Sequence, residues 1–163
     1  VIGQGNTLMT PFHNALLMCA VANDGVLMKP YVIDHIEGAD NTTVKGNIPE
    51  IYADLMSKKD AKKLQKMLRE VVTDGTGYSL DTDLYTAAGK TGTAENEGKY
   101  AHAWFVGYSN VEDPDLVVCV LVENTGAGSK YAVPIAKKIF NSYYNNNMKE
   151  YYGEKKNTAQ SDE

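Results

Sequence analysis

Cysteine and histidine are scarce in this sequence of 163 residues. Its two cysteines, Cys19 and Cys119, lie inside apolar stretches and not at paired loop spacings, so we interpret them as small apolar side chains of the interior. The three histidines, His13, His35 and His102, are scattered, and neither cysteine has a partner at metal-ligand spacing. The sequence therefore predicts no metal site, and we expect no cofactor.

Long apolar runs and an excess of positive charge are also lacking. No run approaches the roughly 18 apolar residues that a bilayer-spanning helix requires, and Val1 does not begin a signal peptide, so we expect any export or anchoring segment to lie upstream. The net charge of −5 disfavours a general nucleic-acid surface, and we expect no nucleic-acid partner. With 43% hydrophobic and 23% charged residues, the composition is typical of one soluble, folded domain.

Two amphipathic helices are predicted in the first half of the chain. The first has Thr10 as N-cap, Pro11 at its first position and Gly25 as terminator. Its expected inward stripe is Phe12, Ala15, Leu16, Cys19 and Ala20. The second begins after Ser57 and buries Ala61, Leu64, Leu68, Val71 and Val72. Between them we predict a short strand after Pro30 and then a loop as far as Pro49.

The second half changes to a strand pattern. Three antiparallel strands are predicted within residues 85–95, 99–109 and 116–124, because the connections between them are short and rich in turn residues. Residues 116–122 are apolar without alternation, which predicts a strand buried on both faces and paired on both edges. A last helix follows, with Pro134 in its first turn and an inward face of Ile135, Ile139, Phe140 and Tyr143. We expect residues 145–163 to form a polar, disordered tail.

A Gly-Lys-Thr triplet at residues 89–91 fits two chemistries. A phosphate loop would require glycine at position 84, which is Leu84, and no helical period follows Lys90. A substrate-binding strand fits better, since Lys90 supplies a cation and Thr91 and Thr93 supply hydroxyl groups. Alternation along a strand places Lys90 and Gly92 on one face and both threonines on the other. Gly92 would let a ligand lie against the backbone.

The wider pattern carries a family resemblance. In order, the chain contains "GQG", "TPFHNALLMCAVANDGVLMKP", "GTG", "AGKTGTAE", "HAWFVGY" and an apolar strand that ends in "VEN". This series resembles the C-terminal half of the transpeptidase domain of penicillin-binding proteins, most closely the monofunctional class B type. The resemblance implies an α+β, partial penicilloyl-serine transferase fold, in which antiparallel strands pack with helices, and assigns residues 1–144 to the C-terminal portion of that domain.

The resemblance also implies an activity. Enzymes of this family cut the D-Ala-D-Ala end of a peptidoglycan stem peptide, form an acyl-serine intermediate and cross-link the wall, and β-lactams imitate the substrate. Of their three motifs, Ser-x-x-Lys and Ser-x-Asn are absent here, because none of the six serines has the required neighbours. We therefore expect the nucleophile upstream of Val1 and no catalysis by this chain alone. The family pattern assigns substrate binding to Lys90, Thr91, Gly92 and Thr93, and catalytic roles to Lys90 and Thr93.

Partners and location follow from the same resemblance. The expected partners are the D-Ala-D-Ala stem peptide, β-lactams and the missing N-terminal half of the domain, which in the family pairs with the strand at 116–123. The resemblance also implies an extracytoplasmic position, with anchoring in the cell membrane through an N-terminal segment. His102 is interpreted as a packing residue, since the family's chemistry does not use it. A non-catalytic penicillin-binding or β-lactam sensor module remains the alternative.

Overall fold

The computed structural model describes residues 5–146, which form three helices, seven strands and one 3₁₀ turn. In chain order these are α1 (Pro11–Ala22), β1 (Val26–Met28), β2 (His35–Glu37), β3 (Thr43–Gly46), β4 (Ile51–Asp54), α2 (Lys58–Thr73), the 3₁₀ turn (Tyr78–Leu80), β5 (Ala87–Ala94), β6 (His102–Ser109), β7 (Leu116–Val122) and α3 (Gly128–Asn145). Within this described range, none of the helices combines the length and apolarity needed to cross a membrane.

The ends of α1 and α2 are set by local signals, as predicted. The Thr10 hydroxyl accepts the His13 N–H (3.2 Å), and the chain leaves α1 through Gly25, whose φ of +99° suits glycine. The Ser57 hydroxyl accepts the Asp60 N–H in the same way (3.2 Å). The predicted inward face of α2 is confirmed by full or partial burial of all five of its residues.

The segment between α1 and α2 differs from the prediction. The expected strand after Pro30 starts only at β2, and the expected loop contains β3, which pairs with β2 in a separate hairpin. In addition, β1 and β4 form an antiparallel pair that the sequence did not indicate. These strands are three or four residues long, and β3 is exposed throughout, so they are too short for a period of two to mark them in the sequence.

The central sheet confirms the predicted order of three antiparallel strands, β5-β6-β7. Its register runs unbroken from Ala87 opposite Ser109 to Ala94 opposite His102. Helix α3 packs on one face of the sheet, while α1 and α2 pack on the other. Alternate residues of β6 enter the two cores, with Phe105 on the α3 side and Tyr108 on the side of α1 and α2. The chain is therefore an α+β structure whose antiparallel sheet lies between helices, as expected.

Three apolar residues predicted to face inward are exposed instead. Phe12 of α1 is 59% exposed, and Ile135 and Ile139 of α3 are 40% and 41% exposed. The buried residues of α3 are Gly128, Ala132, Val133, Ala136 and Phe140. Helix α3 also starts earlier than predicted, because Gly128 is its first residue and Pro134 lies in its second turn.

The last strand has one paired edge. Within the described residues, β7 pairs with β6 alone, so the predicted pairing on both edges is not met by this part of the chain. Val118 and Val120 are buried, and the other five residues of β7 are half-buried. Beyond α3, the tail expected at 145–163 lies outside the described residues, apart from Asn145 and Asn146, which end the helix.

Candidate functional site

The Gly-Lys-Thr triplet at residues 89–91 lies on β5, a strand at the edge of the central sheet. In an antiparallel pair, residues alternate between those that exchange backbone bonds with the partner and those whose N–H and C=O point away. The Asn110 N–H donates to the Thr86 carbonyl (2.7 Å), immediately before the ladder begins. Even-numbered residues of β5 therefore bond to β6, and odd-numbered residues present their backbone groups at the free edge.

Two side-chain contacts agree with this assignment. Arg69 Nη1 donates to the Ala87 carbonyl (2.9 Å), and Lys90 Nζ donates to the Thr91 carbonyl (2.8 Å). Both acceptors are odd-numbered carbonyls of β5. Thr93 has the same parity, so its N–H and C=O also lie at the free edge, as does the exposed Lys90 ammonium group.

The Lys90-to-Thr93 segment borders an open cleft of about 730 Å³. Polar groups of β5 line one side, and α1 with the residues before it lines another through Leu8, Met9 and Asn14. Trp104 and His102 of β6 complete the part of the wall next to β5. An edge strand with a cation, hydroxyl groups and a free N–H suits an extended peptide that ends in a carboxylate.

The threonines on either side of Gly92 each have a hydrogen-bond partner. Thr91 Oγ1 lies 2.7 Å from Thr76 Oγ1, in the turn after α2. Thr93 Oγ1 accepts a longer bond from the Gly128 N–H (3.4 Å), at the start of α3. The two neighbouring elements thus hold the two hydroxyl groups, and the sequence alone predicted neither contact.

Gly92 is closely packed against the neighbouring strand. A Cβ at this position would lie 3.1 Å from Trp104 Cβ on the opposing strand, closer than such atoms normally approach. On the other face, a Cβ at Gly128 would overlap the Gly92 and Trp104 carbonyl oxygens. The backbone around Gly92 is therefore in close contact with both β6 and α3, and these contacts set the distance between β5 and the start of α3.

Arg69 fixes the beginning of the same strand. It is the only arginine in the sequence, and it bridges α2 to the Ala87 carbonyl and to Asp81, whose Oδ1 lies 2.9 Å from Arg69 Nη2. A guanidinium group can make both contacts at once because of its planar fork of donors. Sequence reasoning did not single out this residue, since its two partners lie far along the chain.

His102 also borders the cleft, where it has a structural contact. Its Nδ1 accepts the Asn124 N–H (3.1 Å), which ties the start of β6 to the turn after β7. This contact is of the packing kind that the sequence favoured. The two cysteines are free and half-buried, and burial raises the pKa of both thiols.

Comparison with known proteins places this geometry in a family. The model of the penicillin-binding protein transpeptidase domain matches residues 1–141. Peptidoglycan D,D-transpeptidase PbpA of Mycolicibacterium smegmatis is 33% identical over 147 residues, which are 83% of this chain and 29% of PbpA. Peptidoglycan D,D-transpeptidase MrdA of Haemophilus influenzae is 34% identical over 168 residues, covering 90% of this chain and 25% of MrdA.

Solved structures agree with the sequence relatives. The imipenem acyl-enzyme complex of penicillin-binding protein A from Mycobacterium tuberculosis has a TM-score of 0.77 and 29% identity, over 86% of this chain and 32% of that one. The D,D-transpeptidase domain from Eggerthella lenta has a TM-score of 0.68 and 33% identity, over 80% and 32%. The chain spans about a quarter to a third of the length of these relatives. By sequence and by fold, it belongs to the transpeptidase family of penicillin-binding proteins, of the class B type.

Proposed function

We propose that this chain is the C-terminal, recognition-bearing part of a serine-type peptidoglycan D,D-transpeptidase. The observation that carries the proposal is the position of Lys90, Thr91, Gly92 and Thr93 on a free strand edge beside an open cleft. In the complete protein, this edge would receive the D-Ala-D-Ala end of a stem peptide or a β-lactam. The acyl-serine chemistry would depend on a Ser-x-x-Lys nucleophile that the sequence lacks.

Three residues of the segment have roles that their geometry supports. Lys90 would set positive charge beside the substrate carboxylate, and the Thr91 and Thr93 hydroxyl groups would orient that carboxylate. The Thr93 N–H would donate to the oxyanion of the tetrahedral intermediate, because it points away from β6. Hydrogen bonds to charged groups contribute about 1.5–3 kcal/mol each, and one oxyanion donor lowers the barrier by about 2.7–4 kcal/mol.

The N-terminal half of the same domain is the proposed main protein partner. It would cover the free edge of β7 and the apolar side chains that stand exposed on α1 and α3, such as Phe12 and Ile139. On this view, residues 1–144 are the C-terminal portion of one transpeptidase domain. The complete protein would act outside the cytoplasm and be anchored in the cell membrane by an N-terminal segment.

An acylation experiment tests the catalytic assignment. This chain and the longer parent polypeptide are incubated side by side with benzylpenicillin, and the intact mass of each is measured. We expect one penicilloyl adduct on the parent and none on this chain. A parent variant with Lys90→Ala should acylate far more slowly, while Lys99→Ala, in the turn between β5 and β6, should acylate like the wild type.

Other results would point elsewhere. A parent without an adduct would refute the transpeptidase assignment and favour a module that binds without acylation. An adduct on this chain would show that a nucleophile lies within it. Light scattering tests the proposed partner surface separately, since exposed apolar edges drive association. This chain alone should associate at high concentration, and a monodisperse monomer would contradict the idea that an apolar surface is left uncovered.

A further inference from the structure

The turn between α2 and the 3₁₀ segment contains Thr76, which contacts the Lys90 segment from outside the strand. Thr76 Oγ1 lies 2.7 Å from Thr91 Oγ1, the optimal separation for a bond between two hydroxyl groups. Thr91 lines the cleft, so Thr76 reaches the cleft through it. We propose that Thr76 is a positioning residue, whose hydroxyl donates to Thr91 and so directs the Thr91 proton toward the carboxylate of the ligand. This inference rests on the proposed function.

The number of available protons decides which of the two threonines donates. The two hydroxyl groups hold two protons, and the bond between them uses one. If Thr91 donated to Thr76, it would present only lone pairs at the cleft, and a carboxylate would be repelled. If Thr76 donates, the Thr91 proton is free for the ligand, and the bond that Thr91 accepts polarises its own O–H. A carboxylate therefore favours the second arrangement.

The backbone around Thr76 is held in place independently of any ligand. The Gly77 N–H donates to the Val71 carbonyl (2.9 Å), which folds the turn back onto the last turn of α2. A Cβ at Gly75 would lie 2.8 Å from that same carbonyl oxygen, so the turn passes too close to the helix for a larger residue. Thr76 consequently meets Thr91 from a rigid support, as a positioning residue must.

A purely structural tie between the turn and β5 would predict a different response from a carboxylate-directing role. These two roles can be distinguished with a pair of ligands, benzylpenicillin and its methyl ester, which differ in the charge of the group that Thr91 would contact. Loss of a structural tie should slow acylation by both ligands alike. Loss of the directing hydroxyl should slow acylation by the acid and spare the ester.

The test uses the parent polypeptide and measures the second-order rate constant of acylation by each ligand. Thr76→Val removes the hydroxyl with little change in shape, and Thr76→Ser keeps it. Thr73→Val is the matched control, because within the described residues the Thr73 hydroxyl bonds to the Arg69 carbonyl of its own helix (3.4 Å) and not to β5. Thr73 and Thr76 are both exposed, so these variants should remain folded, which thermal unfolding verifies.

For Thr76→Val, we expect the rate constant for the acid to fall about three- to tenfold, as for one lost hydrogen bond between neutral groups, and that for the ester to change less than about twofold. Thr76→Ser and Thr73→Val should stay within about twofold of the wild type for both ligands. Equal losses for acid and ester, no loss for the acid, or failure of serine to restore the rate would each overturn the inference. A wild-type parent that takes up no penicillin would overturn the proposed function and this inference together.

Discussion

Replacement of Gly128 by alanine should disturb β5 from the side on which α3 packs. A Cβ there would overlap the carbonyl oxygens of Gly92 and Trp104 and lie 3.1 Å from the Gly92 nitrogen. All three are backbone atoms, so no side-chain rotation can relieve the contact. The start of α3 must move away from the sheet, which costs about 1–3 kcal/mol, as for other overpacked sites. The same movement lengthens the bond from the Gly128 N–H to Thr93 Oγ1, which is already 3.4 Å.

Thermal unfolding and penicillin acylation of the parent measure the two consequences. A loss of about 1–3 kcal/mol lowers the melting temperature by several degrees in a domain of this size, and acylation should slow because Thr93 loses its support. Gly46→Ala is the matched control, since Gly46 is exposed on β3 and a Cβ there would meet nothing within 4 Å. If the two variants have the same melting temperature and the same acylation rate, the contact with α3 does not position β5 and the reasoning fails.

Three further predictions concern stability and are measured by urea unfolding of the parent polypeptide. Gln65→Leu should lower the free energy of unfolding by about 1–3 kcal/mol. Gln65 is 3% exposed, and its Nε2 donates to the Val21 carbonyl (2.7 Å), which the substitution leaves without that donor. An unchanged urea midpoint would contradict this prediction. Hydrogen bonds from two lysines of α2, Lys62 foremost, lower the pKa of Asp24 from 3.8 to about 2. Its stabilising contribution is therefore complete above about pH 5 and is lost progressively as pH falls to about 1, and Asp24→Asn should flatten the stability profile in that range and nowhere else. Tyr108→Phe should leave stability unchanged or raise it by about 1 kcal/mol, because the buried Tyr108 hydroxyl has no partner in the described part of the chain; a large loss would reveal one.

Elements marked by local chemistry were predictable from the sequence. The caps at Thr10 and Ser57 fixed where α1 and α2 begin, since a hydroxyl that accepts a backbone N–H three residues later is a short-range signal. The three strands of the central sheet were predictable too, because short turns join neighbours in sequence that are also neighbours in space. The location of the Lys90 segment on a strand followed from that pattern.

The features that sequence reasoning missed depend on distant partners. Helix α3 begins after Ala127, which has no side chain able to cap it, and its first N–H instead donates to Thr93 on β5. Pro134 suggested a later start because proline is common in first turns, but the tertiary contact outweighs that preference. Thr76 belongs to the same class, since "GTG" reads as a turn and nothing in it indicates a bond to Thr91.

The errors in predicted burial have a common physical cause. Phe12, Ile135 and Ile139 were assigned to inward faces because their spacing fits amphipathic helices, yet each is at least 40% exposed. An amphipathic sequence pattern shows which faces of a helix are apolar. It does not show whether the residues that cover such a face belong to the same segment of chain or to another. In α3 the small residues Ala132 and Ala136 pack on the sheet, and the larger isoleucines form a second apolar stripe. A helix with apolar residues on two sides suits a position between two layers, and the described residues supply only one of them. The wrong predictions and the unpaired edge of β7 therefore support the same proposal, that the fold is completed by the N-terminal half of the domain.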